Sequence, residues 1–196
     1  MRPLLAAALL GACARGVAAN DTRLGAGPAP MLVVVVRHAE KAPTPVNDQA
    51  LSAEGMVRAA ALDATLRGMP AITDVVVSQL QRTRLTASVF VARTNARVHI
   101  VPIGAAGVAA HVRAVADTVR AITRGAGRGG VLVVGHSNTV TDIVAALGGP
   151  ESRPLCDSQY SQLFTLRGAA GGAVTLTRST YGAADPADAS CAAMAR

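Results

Sequence analysis

The chain has no tryptophan and only two tyrosines and two phenylalanines, so aromatics make up 2% of its 196 residues. Single-stranded nucleic acid is gripped by stacking bases on aromatic platforms, and these are nearly absent. The formal charge of +7 comes from arginines scattered along the chain rather than gathered in a patch, so a nucleic-acid partner is excluded. Neither the three cysteines nor the four histidines show the spacing of a metal site, and no cofactor is expected. The glycine-rich Gly125-Ala126-Gly127-Arg128-Gly129-Gly130 lacks the Lys-Ser/Thr of a phosphate loop and reads as a turn. Charged residues are only 16% and hydrophobic ones 51%, which excludes general disorder and implies an aliphatic core.

No apolar run is long enough to span a bilayer as a mature helix. Met1-Arg2-Pro3, the apolar Leu4 to Leu10 and the small residues behind them instead read as an export signal over residues 1–19. Two processing sites fit. Leu10-Gly11-Ala12-Cys13 resembles the lipobox of bacterial lipoproteins, in which the cysteine is lipidated and tethers the mature protein to a membrane. Val17-Ala18-Ala19 offers small residues for soluble secretion, with cleavage before Asn20. Either route places the mature protein in the periplasm or cell envelope. Cys156 and Cys191 then remain as an even pair in an oxidising compartment and are expected to form a disulfide. For a closed loop of about 35 residues, the chain-entropy model gives such a bridge roughly 3 to 4 kcal/mol.

After the signal, about 165 to 175 residues remain, enough for one domain with a real core. Residues 20–30, with Gly25, Gly27, Pro28 and Pro30, read as a linker, residues 31–182 as the domain, and the Ala- and Asp-rich residues 183–196 as a loosely held tail. Within the domain, apolar strands are expected at Met31 to Val36, Thr73 to Val77, Arg97 to Val101 and Val131 to Gly135. Helices are expected from Ser52, a plausible N-cap, to Leu66, and then at Leu80 to Arg93, Ala105 to Ile122 and Thr139 to Leu147. Gln159 to Arg167 and Ala173 to Ser179 read as an antiparallel pair at an edge. Strands alternating with helices predict an α/β three-layer sandwich, a mainly parallel central sheet with helices on both faces.

Two of these strands end in histidine. Val36 leads into Arg37-His38-Ala39-Glu40, and Val134 into Gly135-His136-Ser137-Asn138. Parallel strands of one sheet would deliver His38 and His136 to the same edge, where open α/β sheets bind ligands, together with Arg37, Ser78 and Arg82. Arginine matches phosphate oxygens with paired N–H groups and keeps its charge. A histidine with a reference pKa of about 6.5 can be neutral and attack phosphorus, or charged and donate to an oxygen. The set therefore combines a nucleophile with an electrostatic cradle for a small phosphorylated substrate. His99 and His111 read as structural or exposed. Ser137 lacks the second glycine of a nucleophile elbow.

Four blocks, Val36-Arg37-His38-Ala39-Glu40-Lys41, Leu51-Ser52-Ala53-Glu54-Gly55, Ser78 through Ala87, and Val134-Gly135-His136-Ser137-Asn138-Thr139, carry a resemblance to the histidine phosphatase superfamily, the phosphoglycerate mutase-like family, from about Leu32 to Leu147. The resemblance implies a phosphoglycerate mutase-like fold and metal-independent hydrolysis of phosphomonoesters through a phosphohistidine. It implies His38 as the phosphorylated nucleophile and Arg37, Arg82 and His136 as the phosphoryl pocket. Departures are Gln79, where proline often follows the serine, and the absence of any glutamate between Ile103 and Ile122, where many members keep a proton donor. Ser137 also stands where acid phosphatases of the family place an aspartate. Glu40 is the preferred remaining candidate for general acid, ahead of Asp142. The alternatives are a phosphohistidine protein phosphatase, a phosphoglycerate mutase-like enzyme, and a non-catalytic phosphate-binding envelope protein. No obligate protein partner is inferred.

Overall fold

The computed structural model describes residues 30–125, 129–169 and 172–187; the signal segment with Cys13, the linker before Pro30, and Cys191 lie outside the described residues. The elements run β1 (Pro30–Arg37), α1 (Ala53–Leu66), β2 (Ile72–Val77), α2 (Gln81–Thr94), β3 (Arg97–Ile100), α3 (Gly107–Arg124), β4 (Gly130–Gly135), α4 (Val140–Ala146), β5 (Gln162–Ala169) and β6 (Val174–Thr180). One six-stranded sheet has the order β3-β2-β4-β1-β5-β6. The β3-β2-β4-β1 portion is parallel, whereas β5 runs antiparallel to β1 and β6 antiparallel to β5. The predicted pair is thus antiparallel, but β5 sits inside the sheet and only β6 forms that edge.

The valine run of β1 shows why a strand without polar alternation forms here. Val33 and Val35 pack with Val115, Val119, Ile143 and Val144 of α3 and α4. Val34 and Val36 pack on the other face with Leu62 and Leu66 of α1 and Ala87 and Phe90 of α2. Both faces of the strand are buried, so every position is apolar. Each such side chain contributes about 1.5–3 kcal/mol relative to exposure, which fixes β1 in the middle of the three layers.

Helix α1 begins where its sequence indicates. The Ser52 Oγ accepts from the Gly55 N–H at 3.2 Å, and Ala59, Leu62 and Leu66 form its buried stripe. Gly55 has a second role, because a Cβ there would stand 2.2 Å from the Glu40 carbonyl oxygen. Only glycine lets the first turn of α1 lie against the segment that follows His38. The start of the expected loose tail is docked: Arg58 donates to the carbonyls of Tyr181 and Ala183, and Asp185 accepts from the N–H groups of Tyr160 and Ser161. The packed unit therefore reaches past residue 182. Cys156 is disulfide-bonded, and Cys191, its expected partner, lies outside the described residues.

Candidate active site

Because β2, β4 and β1 are parallel neighbours, their carboxyl ends open on one edge. Register sets the height: Arg37 faces Gly135, and Val77 faces Val134. The next residues, His38, His136 and Ser78, leave the sheet together. The His38 N–H donates to the Gly135 carbonyl at 2.9 Å, carrying the pairing one step beyond the strands. The two imidazoles end with ring centroids 5.3 Å apart and planes inclined at 63°.

Both rings are buried, 4% and 5% exposed. Burial is the main cause that pushes the pKa of His38 down to about 2 and of His136 to about 3, and the positive charges of Arg37 and Arg82 act in the same direction on both. Burial and the neighbouring positive charges therefore favour the neutral form of both rings. The Nδ1 of His38 lies 2.7 Å from the Ala39 carbonyl oxygen, which can only accept, so Nδ1 carries the hydrogen and Nε2 keeps its lone pair. On the second ring, Nε2 of His136 is 3.1 Å from the Ser78 Oγ, itself 3.0 Å from the Thr83 Oγ1. Thr83 donates onward to the Leu80 carbonyl at 2.9 Å, so a hydroxyl chain rooted in α2 orients His136. Thr86 ties the same helix to the nucleophile loop, accepting from the Ala39 N–H at 2.9 Å and donating to the Arg82 carbonyl at 2.7 Å.

The two guanidiniums differ. Arg37 is buried; its Nη1 donates to the carbonyls of Cys156, Asp157 and Gln159 at 2.8, 2.9 and 3.1 Å, and its plane rests 4.0 Å over the Tyr160 ring. Its Nη2 lies 3.6 Å from the carboxylate of the exposed Asp157. Arg82 is half-buried on the first turn of α2. In both, Nε is buried without a hydrogen-bond partner among the described residues. Buried N–H donors are normally paired, so two orphan Nε groups near two imidazoles leave donor capacity and positive charge uncommitted at this edge.

The structure thus brings His38, His136 and both arginines together, but it does not bring Glu40 with them. Glu40 takes a two-oxygen clasp from Arg58, with Nε at 2.8 and 3.0 Å and Nη2 at 2.7 Å. That geometry does not support Glu40 as proton donor, since its oxygens are held by a cation on α1. Asp142 lies exposed on α4, and Arg84 is exposed on α2. His99 binds Asp74 near the other end of the sheet. His111, expected to be structural or exposed, is 4% exposed, has its Nδ1 3.3 Å from the Pro102 carbonyl oxygen, and lies within electrostatic reach of His136. Sequence reasoning missed Tyr160, Thr83, Thr86 and Arg58. The hydroxyls fall at helical spacing after Ser78, which was an available sign; Tyr160 and Arg58 sit on distant segments with no local mark.

Residues 33–103 match the family model described as histidine phosphatase superfamily (branch 1), a stretch that includes His38 and Arg82 and ends before His136. The fold is shared with the protein histidine phosphatase SixA solved with tungstate: 22% identity, 76% of this chain and 97% of that one, TM-score 0.63. A mycobacterial glucosyl-3-phosphoglycerate phosphatase is similar at 19% identity, over 79% of this chain and all of the other (100%), TM-score 0.50. Phosphoglycerate mutase from Plasmodium falciparum is similar at 18% identity, over 76% and 89%, TM-score 0.51. No curated protein sequence matches the chain. The resemblance to the histidine phosphatase superfamily is thereby borne out over residues 33–103, which hold the first three blocks, and the solved structures bear out the phosphoglycerate mutase-like α/β fold.

Proposed function

We propose, from the premise of a histidine phosphatase fold, that the chain hydrolyses phosphomonoesters through a phosphohistidine at Nε2 of His38. One observation carries this reading: an imidazole whose Nδ1–H is committed to a carbonyl, which leaves the Nε2 lone pair free beside a second imidazole and the positive charges of Arg37 and Arg82. The Nε2 lone pair forms a bond to phosphorus, the ester P–O bond breaks, and the leaving oxygen departs with its electron pair. Water then attacks phosphorus, the P–N bond breaks, and Nε2 regains its lone pair while the water proton passes to the released phosphate. Arg37 and Arg82 neutralise the non-bridging oxygens throughout, which is the largest task in phosphoryl transfer. Positive charge from two arginines does this without a metal.

Since the Glu40 carboxylate is held by Arg58, the site favours substrates whose leaving group needs no proton in the transition state, such as aryl, acyl or imidazole phosphates. The same clasp supports a second reading, hydrolysis of phosphohistidine on proteins, because a phosphoimidazole whose other ring nitrogen already carries a proton leaves as neutral imidazole without help from a general acid. We place the protein in the periplasm or envelope on its signal-like N-terminus, and the disulfide at Cys156 supports an oxidising compartment.

The test is a panel of p-nitrophenyl phosphate, acetyl phosphate, glycerol 2-phosphate and a phosphohistidine peptide, assayed with the wild type and His38→Ala, with and without chelator. Activated phosphates are expected to turn over faster than the glycerol ester, unaffected by chelator and absent in the variant. Equal turnover in the variant, or loss on chelation, removes the reading.

A further inference from the structure

Behind the loop that holds Arg37 lies a half-open cavity of about 390 Å³, lined by residues of α4, the 152–159 segment, β5 and β6. Neither imidazole lines it, nor does Arg82. Its volume falls within the range of small-ligand sites, about 300–1,000 Å³.

Its lining is unfinished. Thr141 is 2% exposed and its Oγ1 has no hydrogen-bond partner among the described residues; the buried Ser152 Oγ has none either. Such orphans are rare in proteins and call for a partner that a ligand can supply. Two cations, Arg153 and Arg178, also line the cavity with no carboxylate partner among the described residues, and the Arg178 guanidinium lies 5.6 Å from the Phe164 ring centroid. Both guanidiniums are exposed at the rim of the cavity, where they offer positive charge to an anionic oxygen group. Phe164 and Leu155 offer an apolar surface to a ring or short hydrocarbon body.

The wall nearest the imidazoles is shared. Cys156 and Gln159 line this cavity, while their backbone carbonyls accept from Nη1 of Arg37. The next residue, Tyr160, stacks on the same guanidinium. An occupant pressed against this loop acts on the group that neutralises phosphate.

We propose that this cavity is a second binding site, for a small organic anion with a carboxylate or phosphate on an apolar or ring body, and that its occupancy is coupled to phosphate binding through the 155–159 loop. The cavity is lined by neither imidazole nor Arg82, so binding there can be tested independently of the phosphatase reading. Coupling between sites is reciprocal, and phosphate must change the affinity of the anion by the same factor.

The experiment is calorimetric titration of the full-length mature protein with 2-naphthoate, with and without saturating inorganic phosphate. The comparisons are neutral 2-naphthamide and the exposed-residue double variant Arg153→Ala/Arg178→Ala, whose fold is checked by circular dichroism. Naphthoate is expected to bind with phosphate present, about tenfold more tightly than the amide, and to lose about tenfold in the double variant. Thr141→Val should also weaken it. No binding at millimolar naphthoate, equal affinity in wild type and double variant, or simple competition with phosphate overturns the site. Phosphate affinity unchanged by naphthoate overturns the coupling. If the anion is part of the substrate, Arg178→Ala raises KM for a phosphoester bearing a second carboxylate and not for p-nitrophenyl phosphate; if it is a separate effector, naphthoate alters turnover of p-nitrophenyl phosphate itself.

Discussion

Histidine and arginine meet at two places on this sheet, and they are used in opposite ways. Near the amino end of β2, the buried Asp74 accepts from the Arg97 Nε and Nη2 at 3.1 Å each, from the His99 Nε2 at 2.8 Å and from the Thr73 Oγ1 at 2.8 Å. Burial works to raise that carboxyl, and the hydrogen bonds from His99, Arg97 and Thr73 more than offset it, holding the group below its ordinary range. At the carboxyl end, His38 and His136 face Arg37 and Arg82, yet neither imidazole has a carboxylate hydrogen-bonded to it among the described residues, and two guanidinium nitrogens stay unpaired. A compensated cluster stabilises the fold, whereas an uncompensated one is held in place by the fold and awaits an anion.

The contrast breaks most severely at the nucleophile. His38→Ala is expected to lower turnover by roughly 10³- to 10⁶-fold with the fold retained by circular dichroism. His99→Ala, at the compensated cluster, should leave turnover within about twofold. Next comes the cradle: Arg82→Ala should cost roughly 10²- to 10³-fold in kcat and weaken inhibition by inorganic phosphate, whereas Arg97→Ala should leave that inhibition unchanged. Equal responses of Arg82 and Arg97 variants would erase the distinction between the two ends.

Acidification separates them by stability. Unfolded histidines take up protons near pH 6.5, while folded His38 and His136 stay neutral down to about pH 2 and 3. The stabilisation is complete above pH 6.5 and is lost as pH falls, by about 1.4 kcal/mol per pH unit for each ring. Denaturant midpoints measured from pH 7 to 5 should therefore drop, and a His38→Gln/His136→Asn protein should show a flatter profile. The smallest expected effect lies at the compensated end: Asp74→Asn should cost about 1–3 kcal/mol by leaving its buried site badly paired, with kcat/KM unchanged.

Much of this was legible before any coordinates. The strands end in Arg37-His38 and Gly135-His136, and parallel pairing is enough to bring the two rings together; the valine runs announce strands covered on both faces. Ser52 and Gly55 were legible as a helix start, but the close approach of Gly55 to the Glu40 carbonyl was not, because it depends on how α1 meets a loop. The fate of Glu40 was hidden for the same reason. Its partner Arg58 lies 18 residues away on a helix, and nothing local marks the pair. Arg37 looked like a plain phosphate ligand, yet its Nη1 is anchored by carbonyls about 120 residues further on, in a loop whose path no periodicity encodes. His111, read as structural or exposed, is buried with its Nδ1 against the Pro102 carbonyl oxygen, and its place near His136 depends on how α3 packs.

The central claim is that phosphorus is transferred to Nε2 of His38. Rapid quenching during turnover of a labelled phosphoester, followed by mapping of the acid-labile, base-stable adduct, tests it directly. The account predicts label on the peptide containing His38, at Nε2, and none in His38→Ala; label on another residue, or steady turnover with no phosphoenzyme at any quench time, would contradict it.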